Sequence, residues 1–150
     1  MSLAELIGER VTITLAGGDK AAVLRELATL LADEDLSADA VHESLMAREQ
    51  LASTGVGSGV AIPHGRVGGL DSLRAALGVH EQGVAFDAVD GEPVHVLVAI
   101  LAPEGKPSQH LKTLAAASRV LRQSEVRNRL IRASNTEEAV STLRAAEASR

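Results

Sequence analysis

The chain sets a histidine between a proline and a glycine, Pro63-His64-Gly65. This follows a loop of alternating glycines and a short apolar stretch, Ser53-Thr54-Gly55-Val56-Gly57-Ser58-Gly59-Val60-Ala61-Ile62. Glycine admits positive φ and close approach of the backbone to a ligand. Proline fixes its own φ and lacks an N–H, so a strand over Val60–Ile62 is expected to end there and to hold the next side chain rigidly at the rim of a sheet. An imidazole of ordinary pKa, about 6.5, is mostly neutral at pH 7 and nucleophilic without a dedicated base. It can accept a phosphoryl group and pass it on, splitting one transfer into two. The plainer reading of such a histidine, taken alone, is a ring satisfied within a loop.

Phosphoryl transfer spreads charge over three equatorial oxygens, so a site for it needs positioned cations and donors. His110 is one candidate. If Ser108 caps a helix, His110 is its second residue, beside unpaired N–H groups and the positive end of the dipole, a place that favours phosphate. It also stands four and eleven residues before Leu114 and Leu121, at the edge of a buried face. Arg48 is a second candidate. It follows Val41 and Leu45 at +7 and +3, near the end of a helix that leads into the glycine loop, where a guanidinium can grip phosphate through two parallel hydrogen bonds. Taken alone, His110 reads as a surface polar residue, and Arg48 equally well as a cation complementing a helix C-terminus. Thr54 and Gly55, at the start of the loop, are candidate phosphate-binding residues, with Thr54 as a plain turn residue the alternative.

The string Thr54-Gly-Val-Gly-Ser-Gly-Val-Ala-Ile-Pro-His64-Gly resembles the active-site signature of the mannitol/fructose-type enzyme IIA domains of the bacterial phosphotransferase system, a group that includes nitrogen-regulatory IIA proteins. The resemblance continues through Phe86-Asp-Ala-Val-Asp-Gly-Glu-Pro-Val94 and Leu101-Ala-Pro with Gln109-His110-Leu111, and covers about residues 5 to 145. It implies that His64 carries a phosphoryl group, on Nε2, received from a small phosphohistidine protein of the HPr kind. It also implies that His110 orients and stabilises that group without accepting it, and that Arg48 serves the site. The recipient is then a IIB component on the way to an imported sugar, or a regulated target protein; Phe86-Asp-Ala-Val-Asp is closer to the fructose/nitrogen branch, which favours regulation. No cofactor is implied.

Composition narrows the field further. A length of 150 residues suits a single domain, 1–150, with a sizeable core. A net charge of −5 and one aromatic residue, Phe86, give nucleic acid neither an electrostatic nor a stacking partner. Without cysteine there is no disulfide, thiolate metal site or cysteine nucleophile. The longest apolar run, Val96–Ala102, is far short of the ~20 residues that span a bilayer, and the start lacks the pattern of a secretory leader. A cytoplasmic protein, not embedded in a membrane, is expected. The glycine run fits neither a P-loop nor a dinucleotide fingerprint nor a nucleophile elbow, and no local metal-ligand spacing occurs. A metal-dependent hydrolase built on both histidines, or a non-catalytic binding module of the same fold, are the rivals from other classes.

The elements expected to position these residues alternate. Strands are read at 11–15, 60–62, 73–80 and 94–101, the last an unbroken apolar run typical of a strand buried on both faces. Helices are read from Asp19 to about Ala32, from a cap at Ser37 through Glu49, from Ser108 to about Gln123 with Leu111, Leu114, Ser118 and Leu121 on one face, and at 125–132 and 136–147. Asp90-Gly91 reads as a turn. The pattern indicates an α/β layered domain, and the resemblance a mixed, mostly parallel sheet with helices on both faces. His42, His80 and His95 are read as structural or surface residues.

Overall fold

A computed structural model describes residues 2–105 and 107–148. The elements in chain order are α1 (Leu3–Ile7), β1 (Val11–Thr12), α2 (Lys20–Leu31), α3 (Ala38–Leu51), β2 (Gly55–Gly57), β3 (Val60–Ala61), β4 (His64–Val67), β5 (Arg74–Val84), β6 (Val94–Pro103), α4 (Pro107–Leu121), α5 (Ser124–Arg132) and α6 (Thr136–Ala148). The strands form one mixed sheet in the order β1-β5-β6-β3-β2, with β4 also paired to β6. Pairings β1–β5, β3–β6 and β4–β6 are parallel, and β5–β6 and β2–β3 antiparallel.

The apolar run at 94–101 becomes β6, the axis of the sheet. Its side chains alternate between two cores, as the period of two requires. Leu97, Ala99 and Leu101 pack with Leu24, Leu27 and Leu31 of α2 and Val41 and Leu45 of α3. Val96, Val98 and Ile100 pack on the other face with Leu3 and Ile7 of α1, Ala117 and Leu121 of α4, Leu130 of α5 and Leu143 of α6. Helices therefore cover both faces of a mixed sheet.

Local chemistry sets the helix starts. Asp19 and Ser37 cap α2 and α3 by accepting from Ala22 N and Ala40 N, each satisfying an otherwise unpaired donor. A five-residue helix, α1, escapes the sequence reading although Ser2 and Glu5 form a capping box at its start. The first strand is shorter than expected: it stops at Thr12, whose Oγ1 accepts from Thr14 N. A serine or threonine hydroxyl that offers its own backbone a partner competes with the ladder.

Two departures bear on the site. The chain does not leave the sheet at Pro63. β3 closes at Ala61, Ile62 and Pro63 cross over, and pairing with β6 resumes at His64, which lies opposite Ile100. Proline only removes one donor, so a strand can restart on its far side. The glycine loop is likewise a strand, β2, joined to β3 by Ser58 and Gly59, both at positive φ (57° and 78°). That is the backbone a two-residue hairpin turn demands, and glycine supplies half of it at no steric cost.

Candidate active site

His64 begins β4, and parallel pairing points its side chain to the same face as Ile100, toward α4. Gly65, the next residue, points the opposite way and lies against α3: a Cβ there would collide with the Ser44 side chain and approach its backbone carbonyl carbon to 3.3 Å. Ser44 Oγ donates to Arg66 O (3.0 Å), so helix and strand are held close. The glycine after the histidine is thus a packing requirement.

The imidazole of His64 is half-buried, and its Nδ1 lies 2.8 Å from the carbonyl oxygen of Ile62. A carbonyl only accepts, so Nδ1 carries the proton and Nε2 the lone pair. Burial pushes the pKa of His64 below its usual value, and the Arg48 cation adds to this; the bond to Ile62 and the Glu49 carboxylate oppose it. The ring is neutral at pH 7, with a free nucleophilic nitrogen.

The ring of His110 faces it, centroid to centroid 5.2 Å, tilted by 56°. His110 is 5 % exposed, and its Nδ1 is buried with no hydrogen-bond partner. Desolvation, then the nearby His64 and Arg66, push its pKa down to about 4. α4 starts at Pro107, so His110 is its fourth residue and not its second; proline is preorganised for the first helical position. The capping side chain expected at Ser108 lies outside the described residues. The buried stripe of α4 runs through His110, Ala117 and Leu121, with Leu114 packed against the core, whereas Leu111, read as part of that stripe, is 65 % exposed.

Arg48 is half-buried and donates from Nη1 to Ala52 O (2.8 Å), at the C-terminus of α3. That is the helix-terminus role weighed above, and it uses one of the five donors of the guanidinium. Its charge still acts on His64. The buried stripe of α3 is Val41, Leu45 and Glu49, at i, i+4 and i+8, with Arg48 beside it.

Thr54 and Gly55 do not offer the free donors that phosphate binding would need. The Thr54 hydroxyl donates to Glu49 Oε1, and Thr54 N lies 3.0 and 3.1 Å from the two oxygens of the same carboxylate. Gly55 N donates to Ser53 Oγ (3.0 Å), and a Cβ on Gly55 would meet the Ala88 backbone at 2.9 Å. Both residues are committed to holding the loop.

The sequence reading missed two residues. Arg66 is two positions after His64 on β4, so its side chain leaves the sheet on the same face, and its charge is felt at His110. The signal was the strand alternation, hidden by ending the strand at Pro63. Glu49 is buried, and a carboxylate on an apolar helical stripe requires partners. Among the described residues no three His, Asp or Glu side chains are grouped to hold a metal, and no helix is long and apolar enough to cross a membrane. His80 and His95 make ring-to-carbonyl bonds, to Gly17 O (2.9 Å) and His80 O (3.0 Å).

Residues 6–146 match the family model described as phosphoenolpyruvate-dependent sugar phosphotransferase system, EIIA 2. The chain belongs to this family. It is 41 % identical over 133 residues to a nitrogen regulatory protein of Pseudomonas aeruginosa, covering 87 % of this chain and 86 % of that protein. The crystal structure of the nitrogen regulatory protein IIA-Ntr from Neisseria meningitidis superposes with a TM-score of 0.88 at 36 % identity, covering 94 % of this chain and 98 % of that one. A fructose-specific EIIABC component of Bacillus subtilis is 32 % identical over 136 residues, 89 % of this IIA chain but 21 % of that longer protein.

Proposed function

We propose that this IIA chain is a single-domain phosphocarrier that accepts a phosphoryl group on Nε2 of His64 from an HPr-type phosphohistidine protein. It then passes the group on or signals by its phosphorylation state. The observation that carries this reading is the pairing of His64, with Nδ1–H tied to Ile62 and Nε2 unprotonated, with the ring of His110 at 5.2 Å. In the transfer, the Nε2 lone pair attacks phosphorus and the N–P bond to the donor imidazole breaks, its electron pair returning to the donor nitrogen. The phosphorylated ring of His64 is cationic, and its Nδ1–H bond to Ile62 O stabilises that charge. Arg66, Arg48 and one N–H of neutral His110 address the equatorial oxygens, where preorganised donors contribute most. The site works in the cytoplasm without a cofactor.

The 41 % identity to the nitrogen regulatory protein of Pseudomonas aeruginosa and the TM-score of 0.88 to IIA-Ntr, each over most of both chains, favour a regulatory role, with a target protein as partner. The likeness to the fructose-specific component supports a second reading, delivery to a IIB partner. The test mixes the protein with phosphoenolpyruvate, enzyme I and a carrier protein, and follows an acid-labile adduct by intact mass. His64→Ala abolishes the adduct, and His110→Ala accepts slowly and delivers poorly; normal labelling of His64→Ala would overturn the assignment. Transfer to an added fructose-type IIB domain separates the two roles.

A further inference from the structure

Glu49 is the most deeply buried acid of the molecule's described residues, 5 % exposed, yet the transfer chemistry above leaves it unused. Its partners form a chain that ends at the nucleophile. Lys20 Nζ lies 2.9 Å from Glu49 Oε2 and is held in place by Asp87 (3.2 Å) and by the face of Phe86 (5.1 Å). The carboxylate accepts from both the N–H and the O–H of Thr54. Thr54 O in turn accepts from Ile62 N at 3.0 Å, and Ile62 O accepts from His64 Nδ1 at 2.8 Å. Each link limits the next: Ile62 N–H and Ile62 C=O belong to successive rigid peptide planes joined at one Cα, so with the N–H fixed on Thr54 only φ and ψ of Ile62 set where its carbonyl points, and Pro63 holds the residue before it to extended backbone.

A neutral histidine has two tautomers, and only the one with a bare Nε2 can attack phosphorus from the α4 side. The Ile62 carbonyl makes the choice between them. We propose that Glu49, with Lys20 as its counter-ion, is a positioning residue: through Thr54 and Ile62 it holds the carbonyl that keeps the proton of His64 on Nδ1. Glu49 does not touch the phosphoryl group. The role assigned here rests on the phosphocarrier reading for its purpose, but the arrangement itself can be tested without any phosphoryl donor.

The imidazole nitrogens of His64 are followed by ¹⁵N–¹H correlation in the unphosphorylated, full-length protein, where the two tautomers have distinct nitrogen shifts. Wild type shows His64 with Nδ1 protonated only. In Glu49→Gln, which keeps the shape but loses the charge that holds Lys20, both tautomers appear. Phosphoryl acceptance then slows roughly tenfold, less than the hundredfold that a 1 Å displacement of a reacting group can cost. Thr54→Val behaves alike, and Thr54→Ser, which keeps the hydroxyl, recovers most of the loss; this pair carries the test if Glu49→Gln does not fold. A folded Glu49→Gln or Thr54→Val with His64 still wholly Nδ1-protonated overturns the proposal, whether or not its rate has changed. If wild type takes no phosphoryl group, the carrier reading fails while the tautomer result still decides the role of Glu49.

Discussion

Phosphorylation of His64 should raise the pKa of His110 by about one unit. Without the phosphoryl group, His110 is held down to about 4 by burial first, then by the nearby His64 and Arg66. The two rings are 5.2 Å apart. At that separation and an effective dielectric constant of about 20, each unit of charge on the neighbouring ring contributes about 3 kcal/mol, or about two pKa units. A phosphoryl group brings about −1.5 to −2 charges, but the ring that carries it becomes cationic, so the net change at His64 is about −0.5 to −1. Its full effect is about one to two units, and allowing half for screening by solvent and by Arg66 leaves about one. The midpoint of His110 then rises from about 4 to about 5. The assay is a pH series of imidazole ¹⁵N–¹H spectra, with the adduct maintained by phosphoenolpyruvate, enzyme I and carrier protein. The series covers the acid side, where the midpoint of His110 lies about one unit higher in the phosphorylated protein than in the unphosphorylated one. An unchanged midpoint for His110 in the two states would mean that the phosphoryl group is not shared between the rings, and the reasoning about charge in this cluster would be wrong.

Acceptance by His64 should be independent of pH near and above neutrality and should fall as pH drops through the depressed pKa of the ring, below the usual 6.5, because the protonated imidazole has no lone pair to offer; a rate constant that declines already above that value would contradict the shift. Arg66→Ala should slow transfer about tenfold to a hundredfold, and Arg66→Lys less, since lysine keeps the charge but not the two-pronged donor; stopped-flow or quench-flow labelling reads this directly. Gly65→Ala should cost about 1–3 kcal/mol in denaturant unfolding by driving α3 off β4. Ser44→Ala should return part of that loss by removing the side-chain oxygen that the new methyl group strikes.

Much of the scaffold was legible because its signals are local. The helical spacing of Val23, Leu24, Leu27 and Leu31 lies within α2 itself and the cap at Ser37 directly precedes α3, and the apolar run that became β6 announces burial on both faces by composition alone. The misreadings share a cause. Pro63, Gly55 and Gly57 are local breakers, yet β4 and β2 form around them because β6 and β3 supply hydrogen-bond partners from elsewhere in the chain. Tertiary pairing overrides local preference at such places. Leu111 was misplaced on α4 because apolar type alone does not say which side of a helix faces the sheet.

The residue types that could carry phosphorus, a histidine displayed after a proline and a second histidine early in a helix, are properties of the sequence, and so is the family likeness. What the chain order does not contain is the meeting of His64 and His110, 46 residues apart. That contact exists because β4 lies parallel to β6 while α4 packs back on the same face. The same holds for the bracing of the loop: Phe86 O accepts from Ser53 Oγ, and the Asp90 carboxylate accepts from Ser58 N, across more than thirty residues. Which nitrogen of His64 is bare, and which donors of Thr54 and Gly55 are already spent, are decided by individual hydrogen bonds. Those bonds depend on angles and distances of tenths of an ångström, which only the packed chain sets.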